Sequence, residues 1–349
     1  MKFIDLFAGI GGFRFGMESA GHECVAFCEI DKFARASYKA IHNTEGEIEL
    51  HDITTVTDDE IRNIGHVDAI CGGFPCQAFS IAGHRRGFED ARGTLFFEIA
   101  RFAAILKPKY LFFENVKGLL NHDKGNTFEV ILSALDELGY DVEWQVLNSK
   151  DFGVPQNRER VFIIGHLRGE RGRTIFPVGG KDEESSAERL GINILGNTKN
   201  PNGTAKGTRD IVHDPEGIVG TLTATDYKGP KQVAIPNEIK KIRVREATKQ
   251  GYAEASVGDS VNLSHPNSKT RRGRVGEGIA NTLVTGDSQG VVMPNFRIRK
   301  LTPRECWRLQ GFPDWAFDRA QEVNSNSQLY KQAGNSVTVN VIKEIARYL

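Results

Sequence analysis

GGFPCQAFS (72–80) sets Cys76 directly after a proline, at the end of an apolar run. Open α/β sheets place their ligands at the carboxyl ends of strands, and a thiolate there becomes a nucleophile once its pKa is lowered. The ordinary alternative for a free cysteine is a small buried hydrophobe. In FFENV (112–116) Glu114 follows two Phe, so a carboxyl group ends a second apolar strand. A carboxyl kept in apolar surroundings has a raised pKa and holds a proton at neutral pH, as a general acid must; a capped or solvated Glu is the plainer reading. VPQNRERVFIIG (154–165) puts Gln156, Arg158 and Arg160 on alternate positions entering a third strand. Period-two spacing sends all three to one face, either as exposed polar groups or as an anchor for an anion or a base edge.

DLFAGIGGFRFG (5–16) reads as a strand, a glycine turn and a helix start, with Gly9, Gly11 and Gly12 permitting close backbone approach. The dinucleotide fingerprint wants its third Gly where Arg14 stands, which weakens a nicotinamide reading. Glu29, ending the next strand, is placed to accept from ribose hydroxyls, and Asp52, after a following short strand, from an adenine amino group. Asp31 and Asp52 could equally cap helices.

These residues need a scaffold, and the chain supplies one. Strands are expected at 3–7, 23–29, 67–73, 109–116, 141–148 and 161–165, and helices at 13–20, 31–41, 94–106 and 126–138. Their alternation implies an α/β fold: a Rossmann-like core with a mostly parallel doubly wound sheet covered on both faces. After about residue 170 Gly, Asn, Asp, Thr and Lys dominate and apolar runs shorten, which reads as a second, smaller, strand-and-loop-rich domain. Helical character returns at 302–310 and 337–348. The expected division is 1–175 plus 322–349 as one domain, and 176–321 as the second domain with its hinge. Within the latter, EGIVGTLTATD (216–226) and EGIANTLVTGD (277–287) share E-G-I-x-x-T-L-x-x-x-D, either two similar hairpins or two elements aimed at one ligand.

Composition excludes several classes. The chain has 349 residues with 39% hydrophobic and 26% charged, as in an ordinary globular protein. No run approaches the ~20 apolar residues of a membrane span, and MKFIDLFAGIGG does not read as a signal peptide, so a cytoplasmic protein is expected. Five cysteines show no CxxC pair and no His partners at zinc spacing, so reduced thiols and no metal are expected. Net charge is zero, yet residues 227–310 carry about sixteen Lys and Arg against about seven Asp and Glu, a skew that suits a polyanion.

Taken in order, DLFAGIGGFRFGME (5–18), EID (29–31), Asp52, GGFPCQAFS, GTLFFE (93–98), FFENVKGLL (112–120), QNRER (156–160), RKLTPRECWRLQGFPD (299–314) and YKQAGNSVTVNVI (330–342) resemble the bacterial DNA (cytosine-5)-methyltransferase family over most of the chain outside 170–275. The resemblance implies S-adenosylmethionine as cofactor and double-stranded DNA as substrate. It implies that Cys76 adds to C6 of cytosine, Glu114 holds or protonates N3, and Arg160 meets the O2 side with Arg158 and Gln156 in support. Phe7, Gly9, Gly11, Glu29, Ile30, Asp52, Ile53, Pro75, Leu95, Asn335 and Val337 then line the cofactor pocket. The loop from Ser80 to Arg92, hinged at Gly83 and Gly87, would close over DNA, with Gln77, Ser80, Arg85 and Arg86 among its contacts. The sequence reader would be about 176–298, with Thr282 and Leu283 as the family's Thr-Leu element. A monomer is implied, with any restriction endonuclease acting separately.

Three readings compete with this one. A transfer-RNA cytosine methyltransferase would carry a CFT signature and a short recognition region, and neither is present. A non-catalytic DNA-binding relative would be expected to have lost Cys76 or Glu114. A nicotinamide oxidoreductase leaves Pro-Cys-Gln unexplained.

Overall fold

The computed structural model describes residues 1–75, 95–170, 173–179, 196–197, 211–212, 242–264, 268, 270, 272–282, 288–292 and 298–349. Five strands, β1 (Lys2–Leu6), β2 (Glu23–Cys28), β3 (Ile48–Leu50), β4 (Ala69–Gly73) and β5 (Tyr110–Val116), run parallel. Then come β6 (Tyr140–Asn148), the two-residue β7 (Gln156–Asn157) and β8 (Glu159–Leu167). The main sheet has the order β3-β2-β1-β4-β5-β8-β6, and β8 is antiparallel to both of its neighbours. The chain winds outward from β1 to β3 and then returns to β4, which leaves a crevice at the carboxyl ends of β1 and β4.

Alternation on the strands builds two core faces. In β1, Phe3 points to one apolar cluster and Ile4 and Leu6 to the other; in β5, Tyr110 and Phe112 oppose Leu111 and Phe113. One face is covered by α4 (Leu95–Leu106) and α5 (Asn126–Glu137), through Phe96, Ile99, Phe102, Ile131 and Leu135. The other is covered by α1 (Gly12–Ser19) and α9 (Val339–Ala346), through Phe13, Met17, Val341, Ile342 and Ile345.

Local chemistry fixes where the helices start. Asp31 caps α2 (Lys32–Ile41) by accepting from Phe33 and Ala34 amides. Thr57 and Glu60 form a capping box on α3 (Asp58–Asn63), as Thr302 and Glu305 do on α6 (Pro303–Leu309). Helix α3, together with α7 (Asp314–Val323) and α8 (Asn326–Asn335), was not anticipated from sequence. A third apolar cluster joins α6, α7 and α8 to Ile10 and Ile41, with Trp307 fully buried and its indole donating to the Leu329 carbonyl. Residues 301–320 therefore pack against the glycine turn and α2. The short strands between 242 and 300 form separate small sheets, except that Ala280–Asn281 pairs with β7.

Candidate active site

Four of the parallel strands, β1, β2, β4 and β5, deliver cleft-lining residues to the same edge. After β1 the chain turns sharply: Phe7 and Gly9 have φ of 55° and 56°, and Gly11 has φ of 84°. A left-handed Phe is costly, and its place is beside a cleft. Gly11 has no room for more than hydrogen, since a Cβ there would lie 2.2 Å from His42 Nε2. After β2, Glu29 turns back over this loop: Oε2 accepts from the Gly9 amide at 2.8 Å and Oε1 from the Asp31 amide at 2.7 Å. Burial raises its pKa against these two bonds. Each oxygen keeps a second lone pair for an incoming hydroxyl.

Beyond β4, Pro75 lines the cleft, and the buried Asn115 amide donates to the Phe74 carbonyl at 2.9 Å, tying the end of β5 to the proline. Cys76 is the next residue in the chain and lies outside the described residues. The other four cysteines are all buried. Burial pushes the Cys28 thiol up to about 12 and raises Cys24 and Cys71 as well, so these are packing thiols.

Glu114 on β5 is paired with Gly73 of β4, and a Cβ at Gly73 would stand 3.1 Å from Glu114 Oε2. Glu114 Oε1 lies 2.9 Å from Arg160 Nε, yet among the described residues no donor is aligned on that oxygen. The antiparallel direction of β8 is what brings Arg160 here: its first residues meet the last of β5, with Arg160 opposite Val116. Gln156 and Arg158 are buried while Asn157 and Glu159 are exposed, the alternation that the spacing predicts.

Together these residues wall a cleft of about 410 Å³, lined by Phe7, Gly9, Glu29, Pro75, Glu114, Arg158, Arg160 and Asn335 among others, the size of a small-molecule site. A family model for C-5 cytosine-specific DNA methylase matches residues 1–349. M.HhaI, a type II methyltransferase of Haemophilus parahaemolyticus, is 38% identical over 99% of this chain and 93% of its own. The chain belongs to the C-5 cytosine-specific DNA methylases. The methylase is also 34% identical to the orphan methyltransferase M.SPRI of Bacillus phage SPR, over 100% of this chain and 97% of that one. The S. pombe Dnmt2 methyltransferase structure superposes with a TM-score of 0.57 at 17% identity, covering 99% of this chain and 96% of that chain, a likeness of fold. The enzyme is thus a DNA (cytosine-5-)-methyltransferase, and its sheet is the Rossmann-like core expected.

Not every expected cofactor residue of the methylase faces the cleft. Ile30 is exposed at the mouth, 66% accessible, next to Glu29. Ile53 is buried in the apolar core, Leu95, the first residue of α4, is half-buried against it, and Val337 packs near Gly12 and Gly73. Asp52 closes a turn, accepting from the Thr54 amide and hydroxyl, which lower its pKa. Gln156 requires correction as a DNA contact. It is wholly buried, and its amide donates to the Leu309 carbonyl and to Gln310 Oε1, so it presents no exposed group in this structure. Thr282 donates its hydroxyl to the Asn157 carbonyl at 2.6 Å. Gln77, Ser80, Arg85, Arg86, Leu283 and the first Thr-Leu copy lie outside the described residues. Arg14, which spoiled the nucleotide fingerprint, is a brace: it donates twice to Glu47 and once each to Glu18 and the Asn43 carbonyl.

Sequence reasoning missed Asn115 and Gln310, and read Asp31 only as a helix cap. Asp31 not only caps α2 but pairs with Lys331 at 2.6 Å across the cleft mouth. Among the described residues no group of His, Cys, Asp or Glu is placed to hold a metal ion, and no helix is long and apolar enough to cross a membrane.

Proposed function

We propose that the methylase transfers a methyl group from S-adenosylmethionine to C5 of a cytosine extruded from a specific double-stranded DNA sequence, through a covalent bond between Cys76 and C6. The observation that carries the reading is one cleft walled by the glycine turn and Glu29 on one side and by Pro75, Glu114 and Arg160 on the other. The cleft suits the cofactor: an acid held by two backbone amides faces the space where ribose hydroxyls would sit, and Asn335 is exposed within it. When bound, S-adenosylmethionine supplies an electrophilic methyl group.

The chain's own residues do the rest. The Cys76 thiolate forms a bond to C6, and the electron pair of the C5–C6 double bond moves toward C5 and the N3–O2 side of the ring. Glu114 holds or protonates N3, and Arg160 faces O2, so that the charge developing there meets a carboxyl proton and a guanidinium. Once C5 is methylated, its proton leaves to solvent or base, the double bond reforms, and the thiolate is expelled. None of this is possible in a stacked duplex, and extrusion of the base costs a few kcal/mol. Residues 176–298 would read the DNA sequence, with Arg85 and Arg86 of the Ser80–Arg92 loop on phosphates. The protein would act as a monomer, and a restriction endonuclease, where one accompanies it, separately.

Bisulfite sequencing of DNA from cells expressing the protein tests reaction and target together. The expected result is protection of one cytosine within a fixed sequence. Full conversion at every site would end the proposal.

A further inference from the structure

RKLTPRECWRLQGFPD has no part in the chemistry above, yet it carries a buried side chain beside the site that makes four hydrogen bonds. Gln310, at the carboxyl end of α6, is 0% exposed. Its Nε2 donates to the Ala333 carbonyl at 2.7 Å and to the Ser336 carbonyl at 3.5 Å. Its Oε1 accepts from Gln156 Nε2 at 3.2 Å and from Thr338 Oγ1 at 3.0 Å. Its backbone carbonyl accepts from the Val339 amide at 2.9 Å. A buried amide is costly unless it is satisfied in this way, so the position demands a reason.

The reason lies in what the bonds surround. The last turn of α8 presents Asn335 to the cleft, and the carbonyls of 333, 334 and 336 around it are taken by buried side chains. Gln310 takes the carbonyls of 333 and 336, and the buried Arg158 guanidinium donates to those of Ser336 at 2.7 Å and Gly334 at 3.3 Å. Two side chains thus grip the peptide groups on both sides of the one residue of this turn that is exposed in the cleft. Gln156, next in the network, is paired with Ala280 of the strand-rich region.

We propose that Gln310 is a positioning residue for the cofactor: with Arg158 it fixes the turn that carries Asn335, and its loss weakens cofactor binding without touching the reacting atoms. The inference rests on the cleft being the S-adenosylmethionine site. The probe is S-adenosylhomocysteine titrated calorimetrically into the full chain, with melting temperature of the ligand-free protein measured alongside. Gln310→Glu keeps shape and both acceptor bonds but cannot donate to the two carbonyls. Its Kd should rise about ten- to a hundredfold, the effect of two lost buried hydrogen bonds, and KM for the cofactor should rise in parallel while kcat at saturation stays near wild type. Thr338→Ser, which retains the hydroxyl, should bind as wild type does. Should Gln310→Glu fail to fold, Gln310→Met and Thr338→Val address the same turn and should show the same direction. A lowered melting temperature with unchanged Kd would reduce Gln310 to scaffold and overturn the proposal. Failure of the wild type to bind the probe would instead overturn the cofactor reading itself.

Discussion

Arg160 reaches Glu114 from a strand that runs against it. The guanidinium Nε stands 2.9 Å from the carboxylate, and the two residues sit on β8 and β5 in antiparallel register, Arg160 opposite Val116. Had β8 continued the parallel winding of β1 to β5, QNRER would have entered the sheet at the far edge. The reversal is what places a cation and a carboxyl group at the tip of the strand adjoining the Pro75 segment.

From this pair follows the first expectation. Glu114→Gln preserves size and hydrogen bonding but cannot deliver a proton, so methyl transfer should fall by about 10²–10⁴-fold, the usual worth of a general acid. Binding of S-adenosylhomocysteine should be little changed, because Glu29 and the glycine turn remain. Transfer of labelled methyl groups to DNA measures the first quantity and calorimetry the second. Turnover of the variant at the wild-type rate would remove Glu114 from the mechanism.

The cysteines give the second. Four are buried, and burial raises the thiol pKa of Cys24, Cys28 and Cys71, which makes them poor nucleophiles at neutral pH. Brief alkylation of the native enzyme should therefore inactivate it with label on Cys76, and Cys76→Ser should abolish turnover while retaining cofactor binding. Peptide mapping decides the matter: label found mainly on another cysteine, with activity lost, would point to a different nucleophile.

Much of this scaffold was legible in sequence, and what was not has physical causes. The apolar runs at β1, β2, β4, β5 and β8 are buried on both faces and stand out without alignment. Helices α7 and α8 do not, because DWAFDRAQEV and NSQLYKQAGN bury only three and four residues each. Strand direction is also invisible: period two fixes which side chains share a face and says nothing about antiparallel entry. Gln156 shows the limit for single residues. Its spacing put it correctly with Arg158, but polarity suggested exposure, and its bonds to the Leu309 carbonyl and Gln310 are what permit its burial. The Glu114 and Arg160 positions and the glycine turn stand out in sequence because their residue types are out of place in the elements that carry them.

Packing of α1 on α9 offers a third test. A Cβ at Gly16 would lie 2.4 Å from Ile342 Cγ2 and 2.8 Å from the Lys343 amide nitrogen. Backbone cannot yield as a side-chain tip can, so Gly16→Ala should destabilise the fold by about 1–3 kcal/mol, as overpacking does. Ile342→Ala in the same chain, which removes that Cγ2, should recover part of the loss, giving a non-zero coupling in a double-mutant cycle. Strictly additive effects would show that the two helices separate freely at this contact.

The last expectation concerns pH and begins beneath the glycine turn. His42 is buried against Gly11, and burial, aided by the Arg14 charge, lowers its pKa from 6.5 to about 3. Its native state is the neutral ring. A group depressed on folding stabilises the fold above its unfolded pKa, and that contribution is lost as pH falls through the window toward the folded value. Between about pH 6.5 and 3 the unfolded chain binds a proton that the folded chain refuses, so His42 should steepen the loss of stability on acidification. His42→Phe keeps an aromatic ring beside Phe15 and Tyr38, the two rings that His42 contacts at 4.8 and 4.7 Å, and removes the titration. Denaturant unfolding at a series of pH values should give a shallower slope for the variant than for the wild type across this window. Parallel slopes would mean that His42 is protonated in the folded state at the same pH as in the unfolded chain, and that the glycine turn is wetter than its packing indicates.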